Sequence, residues 1–349
     1  MTAMISGLVS TILPVHNRPD LLRRAVRSVL RQTYRPLEIL VVDDGSTDTT
    51  PRVVDELAAA HPEVIRAVHI PNGGPGRARE AGRKLAQGEF IQYLDSDDEL
   101  LPRKFELQTA ALVSDLSAGI AYGQTIFGPE GVRTEELGPW KRTGKKIATL
   151  FPAMLVDRWW DTLTPLYRRA VVDAAGPWLD LRINEDWEYD CRIAAAGVRL
   201  AYVPVPLSRV YDHAGPCLHR GSDRDRGKLR DRAKAMELIF GHARRAGLGG
   251  ELPEMRHFAR AAFLLARQCG VAGEVQTSRA CWQLATEAAE GLRGDLFFYR
   301  VLTLGLGWVN AARWITWTIA RTGRSPGKDT LPSIYAPCGE AASPGGAKP

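Results

Sequence analysis

Short apolar runs alternate with amphipathic ones over the first part of the chain. Leu8–Leu13 (LVSTIL) is apolar and β-branched and is bounded by Pro14, the pattern of a buried strand. Pro19-Asp20 opens a helical pattern through Arg31, with Leu22, Ala25, Val26, Val29 and Leu30 on one face. Leu37–Val42 (LEILVV) predicts a second strand, ending at Asp43-Asp44-Gly45-Ser46, and a helix over roughly 50–60 follows. Val64–His69 predicts a third strand and Arg77–Leu85 a third helix. Glu89–Leu94 (EFIQYL) predicts a fourth strand that ends at Asp95-Ser96-Asp97-Asp98. Strands alternating with helices in this way imply βαβ units and a mostly parallel sheet, an α/β fold. Residues 118–216 are less regular, with an edge strand expected at 119–123 and another strand at Arg199–Val203. From residue 225 onward Ala, Leu and Arg recur at helical spacing and predict four helices, near 226–246, 252–268, 274–290 and 294–320.

Composition narrows the class. The 349 residues are 45% apolar and 25% charged, ordinary globular values that exclude a collagen-like or disulfide-stapled chain. The net charge of +6 is unevenly placed. Residues 217–349 carry 20 basic against 12 acidic side chains, whereas residues 1–216 carry 26 against 28. The basic C-terminal third suits an anionic surface, and no nucleic-acid cleft is expected in the first part. Cys191, Cys217, Cys269, Cys281 and Cys338 are odd in number and widely spaced, which points to a reducing compartment rather than a disulfide framework or a CxxC zinc site. The start shows no secretory pattern, so a cytoplasmic location is expected. The longest apolar stretch, Val301–Ala320, contains Asn310 and Arg313 and is a poor spanning helix. The domains expected are 1–216, an α/β domain; 217–322, a helical region; and 323–349, a Pro-, Gly- and Ser-rich disordered tail.

Three acidic clusters fall at loop positions: Asp43-Asp44, Asp95-Ser96-Asp97-Asp98 and Glu185-Asp186. In an open α/β sheet the C-terminal strand edge is where ligands bind. A D-x-D there suits a hard divalent ion that also holds substrate phosphates. The plainer reading is turn and cap chemistry, since Asp, Ser and Gly are turn residues. Asn72–Arg79 (NGGPGRAR) is a glycine-rich loop entering a helix, able to present amides and guanidiniums to an anion. It is neither a dinucleotide fingerprint nor a P-loop, and taken alone it is an ordinary loop. Glu185-Asp186 at a helix start is favoured by the dipole whether or not it has a chemical role. Trp159-Trp160 suits either a sugar-binding platform or plain packing. The basic run Arg224, Arg226, Lys228, Arg230, Arg232 and Lys234 is either a solvated face or, with Trp308, Trp314 and Trp317, part of a surface for anionic lipid.

Taken in order, VSTILPVHNRPDLLRRAVRSVLRQTY…LEILVVDDGSTD, NGGPGRAREAG, FIQYLDSDDELLPRKFELQ and NEDWEYDCRIAAAG resemble the family 2 glycosyltransferases, inverting enzymes of the GT-A fold. The resemblance covers residues 8–215. It implies a GT-A fold with a mostly parallel central sheet, followed by a helical region. It also implies that Pro14, Asn17 and Asp44 line the nucleotide, that Gly74 and Arg79 belong to a loop touching the nucleotide-sugar, and that Asp95 contacts the donor. Asp97 would hold Mg²⁺ or Mn²⁺, Asp186 would be the catalytic base, and His213 would complete the metal site. His16 stands where members commonly have Tyr, and Glu80 where Asn is usual.

The expected reaction is transfer of a sugar from a nucleoside-diphosphate sugar to an acceptor hydroxyl of a glycan, lipid-linked molecule or protein, in cell-surface glycan synthesis. The C-terminal helices are expected to rest on the inner face of a membrane. The alternatives are a non-catalytic nucleotide-sugar-binding scaffold and a sugar nucleotidyltransferase. The latter is disfavoured because the first strand leads into Pro14-Val15-His16-Asn17 rather than a glycine-rich triphosphate loop.

Overall fold

A computed structural model of the chain describes residues 4–211, 225–289 and 293–322. The predicted alternation is present. Strand β1 (Ile5–Val15) leads through helix α1 (Pro19–Leu30) to β2 (Leu37–Asp44), then α2 (Thr50–Ala60), β3 (Ile65–Ile70), α3 (Pro75–Leu85) and β4 (Gly88–Tyr93). The short β5 (Glu99–Leu100), α4 (Lys104–Ser114), β6 (Ala118–Gly128), β7 (Leu166–Arg168), α5 (Arg169–Ala175), α6 (Glu185–Ala195) and β8 (Arg199–Tyr211) follow. Four helices complete the described chain: α7 (Arg226–Arg245), α8 (Pro253–Val271), α9 (Val275–Ala288) and α10 (Arg293–Thr322).

The strands form one sheet in the order β3-β2-β1-β4-β7-β6-β8-β5. β3, β2, β1 and β4 are mutually parallel, as are β6 and β8. β7 lies antiparallel between β4 and β6, and β5 pairs antiparallel with β8. All eight residues of β2 are buried, the expected texture of a central parallel strand covered on both faces. Pairing of β1 with β4 ends at Ile12–Tyr93, so Pro14 lies where only β2 continues beside it. Its missing N–H is tolerated there.

The expected edge strand at 119–123 is corrected: β6 is interior, with β7 on one side and β8 on the other. The insertion of β7 hides it. Three residues are too few to show a period in sequence, and they bring β6 next to the first parallel unit. The tail expected at 323–349 lies outside the described residues.

Alternation along the strands sends side chains to two faces. Val9, Leu13, Ile39, Val41 and Phe90 pack under α1, α2 and α4. Ile12, Leu40, Ile91, Tyr93, Ile120 and Tyr122 join the opposite core, together with Trp159, Trp160, Tyr189 and apolar residues of α7, α8 and α9. The C-terminal helices therefore share a hydrophobic core with the sheet. A polar contact reinforces the join: Glu188 on α6 meets Nε2 of His242 on α7 at 2.7 Å. A residue with non-helical backbone, Gly307 (φ 74°), divides α10.

Candidate active site

The C-terminal ends of β1, β2 and β4 open onto one rim. Behind β1, Asn17 takes positive φ (52°) and joins the two neighbouring loops. Its side-chain oxygen accepts from Thr47 N at 2.8 Å, and its own N–H donates to Ser46 Oγ at 2.9 Å. His16 Nδ1 lies 2.9 Å from the carbonyl of Asp44. The Asp44 side chain, at the end of β2, accepts from the backbone N–H groups of Gly73 and Gly74 at 2.8 Å each. A glycine is needed at position 74 because its φ is 86°, and nothing lies within 4 Å of where a Cβ would stand. Pro14, Asn17, Asp44 and Gly74 are thus gathered at one place. Asp44 is buried and its carboxylate organises the glycine-rich loop.

Asp43 turns the other way. It accepts from Ser46 N at 3.1 Å and faces His69 Nδ1 at 3.1 Å, whose Nε2 meets Asp55 at 3.0 Å. The hydrogen bonds to Asp55 and Asp43 raise the imidazole above its ordinary pKa.

The D-x-D loop after β4 reaches the other acidic cluster through one side chain. Arg79, on α3 and 3% exposed, places Nη2 at 2.7 Å from Asp95 and Nη1 at 2.7 Å from Glu185. Its guanidinium also lies over the Trp178 ring, 4.8 Å from the centroid. The sequence-level expectation placed Arg79 against the donor; in this structure it bridges two protein carboxylates. Asp97 pairs with Arg18, and the Asp97 carbonyl accepts from Arg24 Nη2 at 2.7 Å. Asp98 is buried, and burial together with Asp97 and Asp95 pushes its carboxyl well above the usual range.

Glu185 and Asp186 begin α6, preceded by Asn184 in the left-handed conformation (φ 63°). Burial, then the neighbouring Asp186 charge, raises the Glu185 carboxyl, and Arg79 opposes the shift. Asp186 Oδ2 lies 2.6 Å from Arg158 Nη2 and 3.3 Å from Thr162 Oγ1, and Oδ1 accepts from Trp187 N at 2.7 Å. Arg158 also faces Asp161 at 4.0 Å, and Asp161 is paired with Lys141 at 2.5 Å. Those two cations hold Asp161 below its ordinary value despite burial.

The structure therefore brings Asp95, Asp97 and Asp186 to one region of the sheet rim. His213 lies outside the described residues. Tyr211, which ends β8, is held there: Arg24 and Arg209 lie over its ring at 3.9 and 4.5 Å from the centroid, and its hydroxyl donates to Glu99. Of the two readings of Trp159-Trp160, plain packing is the one the structure bears out. Both rings are fully buried, and Trp160 Nε1 donates to Asp190 at 2.8 Å. The basic run on α7 is mainly a solvated face: Arg226 and Arg230 pair with Glu274 at 2.6 and 3.5 Å, and Lys234 with Glu237 at 3.0 Å. Arg224 lies outside the described residues.

Sequence reasoning missed Arg18, Arg158, Asp161 and Trp178. Arg18 adjoins the Asn17 motif and could have been noticed. Arg158 and Asp161 flank the tryptophan pair, but nothing in their spacing announces a partner on α6.

The model of "Glycosyl transferase family 2" matches residues 10–157. An uncharacterised glycosyltransferase of Escherichia coli K12, YibD, is 38% identical over 124 residues, which is 35% of this chain and 36% of that protein. The chondroitin synthase of E. coli is 41% identical over 115 residues, 33% of this chain and 17% of that one. The chain thus spans well under half the length of these relatives. Among solved structures, S. aureus TarS 1-349 in complex with UDP-GlcNAc superposes with a TM-score of 0.67 at 20% identity, covering 90% of this chain and 92% of that one. A mannosyltransferase from Pyrobaculum calidifontis in complex with GDP-Man and Mn²⁺ gives a TM-score of 0.50 at 20% identity, covering 91% and 88%. Fold and motif order agree: this is a GT-A fold, and residues 10–157 match the model of glycosyl transferase family 2.

Proposed function

We propose that the protein is an inverting glycosyltransferase that moves a sugar from a nucleoside-diphosphate sugar to an acceptor hydroxyl in cell-surface glycan synthesis. One observation carries the reading: Arg79 ties Asp95 of the D-x-D loop to Glu185 of the E-D pair at 2.7 Å on each side. That tie supports a site in which groups suited to a diphosphate and a group suited to a proton acceptor lie at one rim of the sheet. The structural neighbours' UDP-GlcNAc and GDP-Man support a nucleotide-sugar as the donor class.

The donor's nucleotide would lie along Pro14, Asn17 and Asp44, with the amides around Gly74 beside it. Asp95 and Asp97 are hard oxygen donors at a strand end, and their side chains remain 34% and 20% exposed despite their pairing with arginines. That donor set fits Mg²⁺ or Mn²⁺, which take one or two carboxylates plus phosphate oxygens. A divalent ion on Asp97 would supply charge neutralisation for the departing diphosphate. Asp186 accepts the proton of the acceptor hydroxyl as its oxygen bonds to the anomeric carbon from the face opposite the diphosphate. The glycosyl–phosphate bond breaks, its electron pair leaves with the nucleoside diphosphate, and the configuration inverts in one step. His213 as a further metal ligand remains part of the proposal.

A panel of UDP- and GDP-sugars with Mg²⁺ or Mn²⁺ tests the reading. Sugar release that depends on the ion and disappears in Asp97→Ala supports it. Metal-independent turnover unaffected by Asp97→Ala contradicts it.

The proposal extends to a membrane surface. No helix among the described residues is long and apolar enough to cross a bilayer. Yet α10 exposes Phe297, Phe298, Leu304, Trp314 and Trp317, with exposed Arg313 and Arg321 beside the tryptophans. Aromatics with flanking cations suit an anionic lipid interface. Co-sedimentation with phosphatidylglycerol-containing liposomes should fall in the double variant Trp314→Ser, Trp317→Ser. Unchanged partitioning would remove this part of the reading.

A further inference from the structure

The segment between residues 158 and 162 grips the face of α6 that carries Asp186. Arg158 Nη2 meets Asp186 Oδ2 at 2.6 Å, and Thr162 Oγ1 meets the same oxygen at 3.3 Å. One helical turn further on, Trp160 Nε1 donates to Asp190 at 2.8 Å, joined there by the Tyr167 hydroxyl at 2.8 Å. Residues four apart share a helix face, so Asp186 and Asp190 are received by one continuous stretch. The buried rings of Trp159 and Trp160 fix the backbone from which Arg158 extends. The Arg158 side chain is itself 13% exposed, so its pairing is little screened by water.

Two adjacent, largely buried carboxylates at Glu185 and Asp186 repel each other. Each has been given its own guanidinium: Arg79 for Glu185 and Arg158 for Asp186. A base must be ionised before it can accept a proton. We propose that Arg158 is a positioning residue for the reaction, holding Asp186 ionised and aimed while Asp161 and Lys141 set how strongly it does so. The proposal rests on the assignment of Asp186 as base. The charged groups that face Asp186 are Arg158 and Asp161 from the preceding loop, Glu185 and Asp190 from its own helix, and Arg79 from α3. Lys141 acts one step removed, through Asp161.

The arrangement predicts opposite shifts from two substitutions. Removing the cation in Arg158→Gln favours the protonated base, so the acid limb of the kcat/KM profile should move up by one pH unit or more and the rate should recover in alkali. Removing the competing carboxylate in Asp161→Asn leaves Arg158 to act on Asp186 alone, so the limb should move down. Arg158→Lys should restore most of the wild-type profile. A merely structural role would lower the rate at every pH without moving the limb. The profiles are measured on the full chain with the UDP- or GDP-sugar that turns over best in the donor panel, and Asp186→Asn is assayed beside them. An inactive Asp186→Asn with unmoved limbs in both other variants overturns this proposal alone. A fully active Asp186→Asn overturns the base assignment and this proposal together. If Arg158→Gln does not fold, Asp161→Asn and Arg158→Lys still decide: an unmoved limb in Asp161→Asn counts against the role.

Discussion

Arg79 is the residue on which the two acidic clusters depend. It is buried, and its two ion pairs neutralise Asp95 on one side and Glu185 on the other. Removing it leaves the buried Glu185 carboxylate without its counter-charge, while Asp95, 34% exposed, falls back on water. Arg79→Leu should therefore destabilise the fold by about 3–5 kcal/mol, read from urea unfolding at neutral pH. Arg79→Lys should recover only part of this, because one ammonium lacks the fork that reaches both partners. A second residue-scale prediction concerns Asp190, whose carboxyl burial raises from 3.8 to about 6 against the pull of Tyr167, Arg158 and Trp160. With the folded value above the unfolded one, the folded state holds the extra proton. Stability from this group is complete below about 4 and is lost as pH rises through about 6. Asp190→Asn should flatten that part of the stability–pH curve, and an unchanged slope would contradict the assignment. The acidic motifs were legible at this scale because they are local in sequence. Their pairings with arginines were not, since Arg18, Arg79 and Arg158 find Asp97, Glu185 and Asp186 only through tertiary folding.

Among the elements, the α3 entry loop shows local sequence dictating geometry. Gly74 combines φ 86° with ψ 170°, a conformation closed to other residues without strain. No neighbour would clash with a Cβ there, so the cost of Gly74→Ala is backbone strain alone, about 1–3 kcal/mol. The substitution should also displace the amide that donates to Asp44 and weaken nucleotide-sugar binding. Isothermal calorimetry should show weaker donor binding than wild type, and an unchanged affinity would contradict the loop's role. The long parallel strands and the amphipathic α1 were readable from periodicity because each buries a regular face. β7 was not, being three residues long and defined by its neighbours rather than by its own pattern. The tryptophan pair stayed open in the sequence for a related reason. An aromatic's composition does not say whether the ring stacks on a sugar or fills a core, and here Asp190 and Tyr122 claim Trp160.

For the molecule as a whole, the sheet divides the interior into two cores, and the C-terminal helices close one of them. Helical spacing after residue 225 was visible in the sequence. Its attachment to α6 through Glu188 and His242 was not, because a lone histidine and a lone glutamate announce nothing by themselves. That attachment places the helix bearing Asp186 between the sheet and the added helices, so the site and the C-terminal region are mechanically joined. The whole account turns on Asp186 acting as base beside a bound donor. The most direct test is Asp186→Asn, assayed for donor binding by calorimetry and for sugar transfer with the same nucleotide-sugar. The account predicts donor affinity within about threefold of wild type and transfer lowered by at least a hundredfold, the loss expected when a group acts only in the transition state. Transfer at the wild-type rate would contradict it.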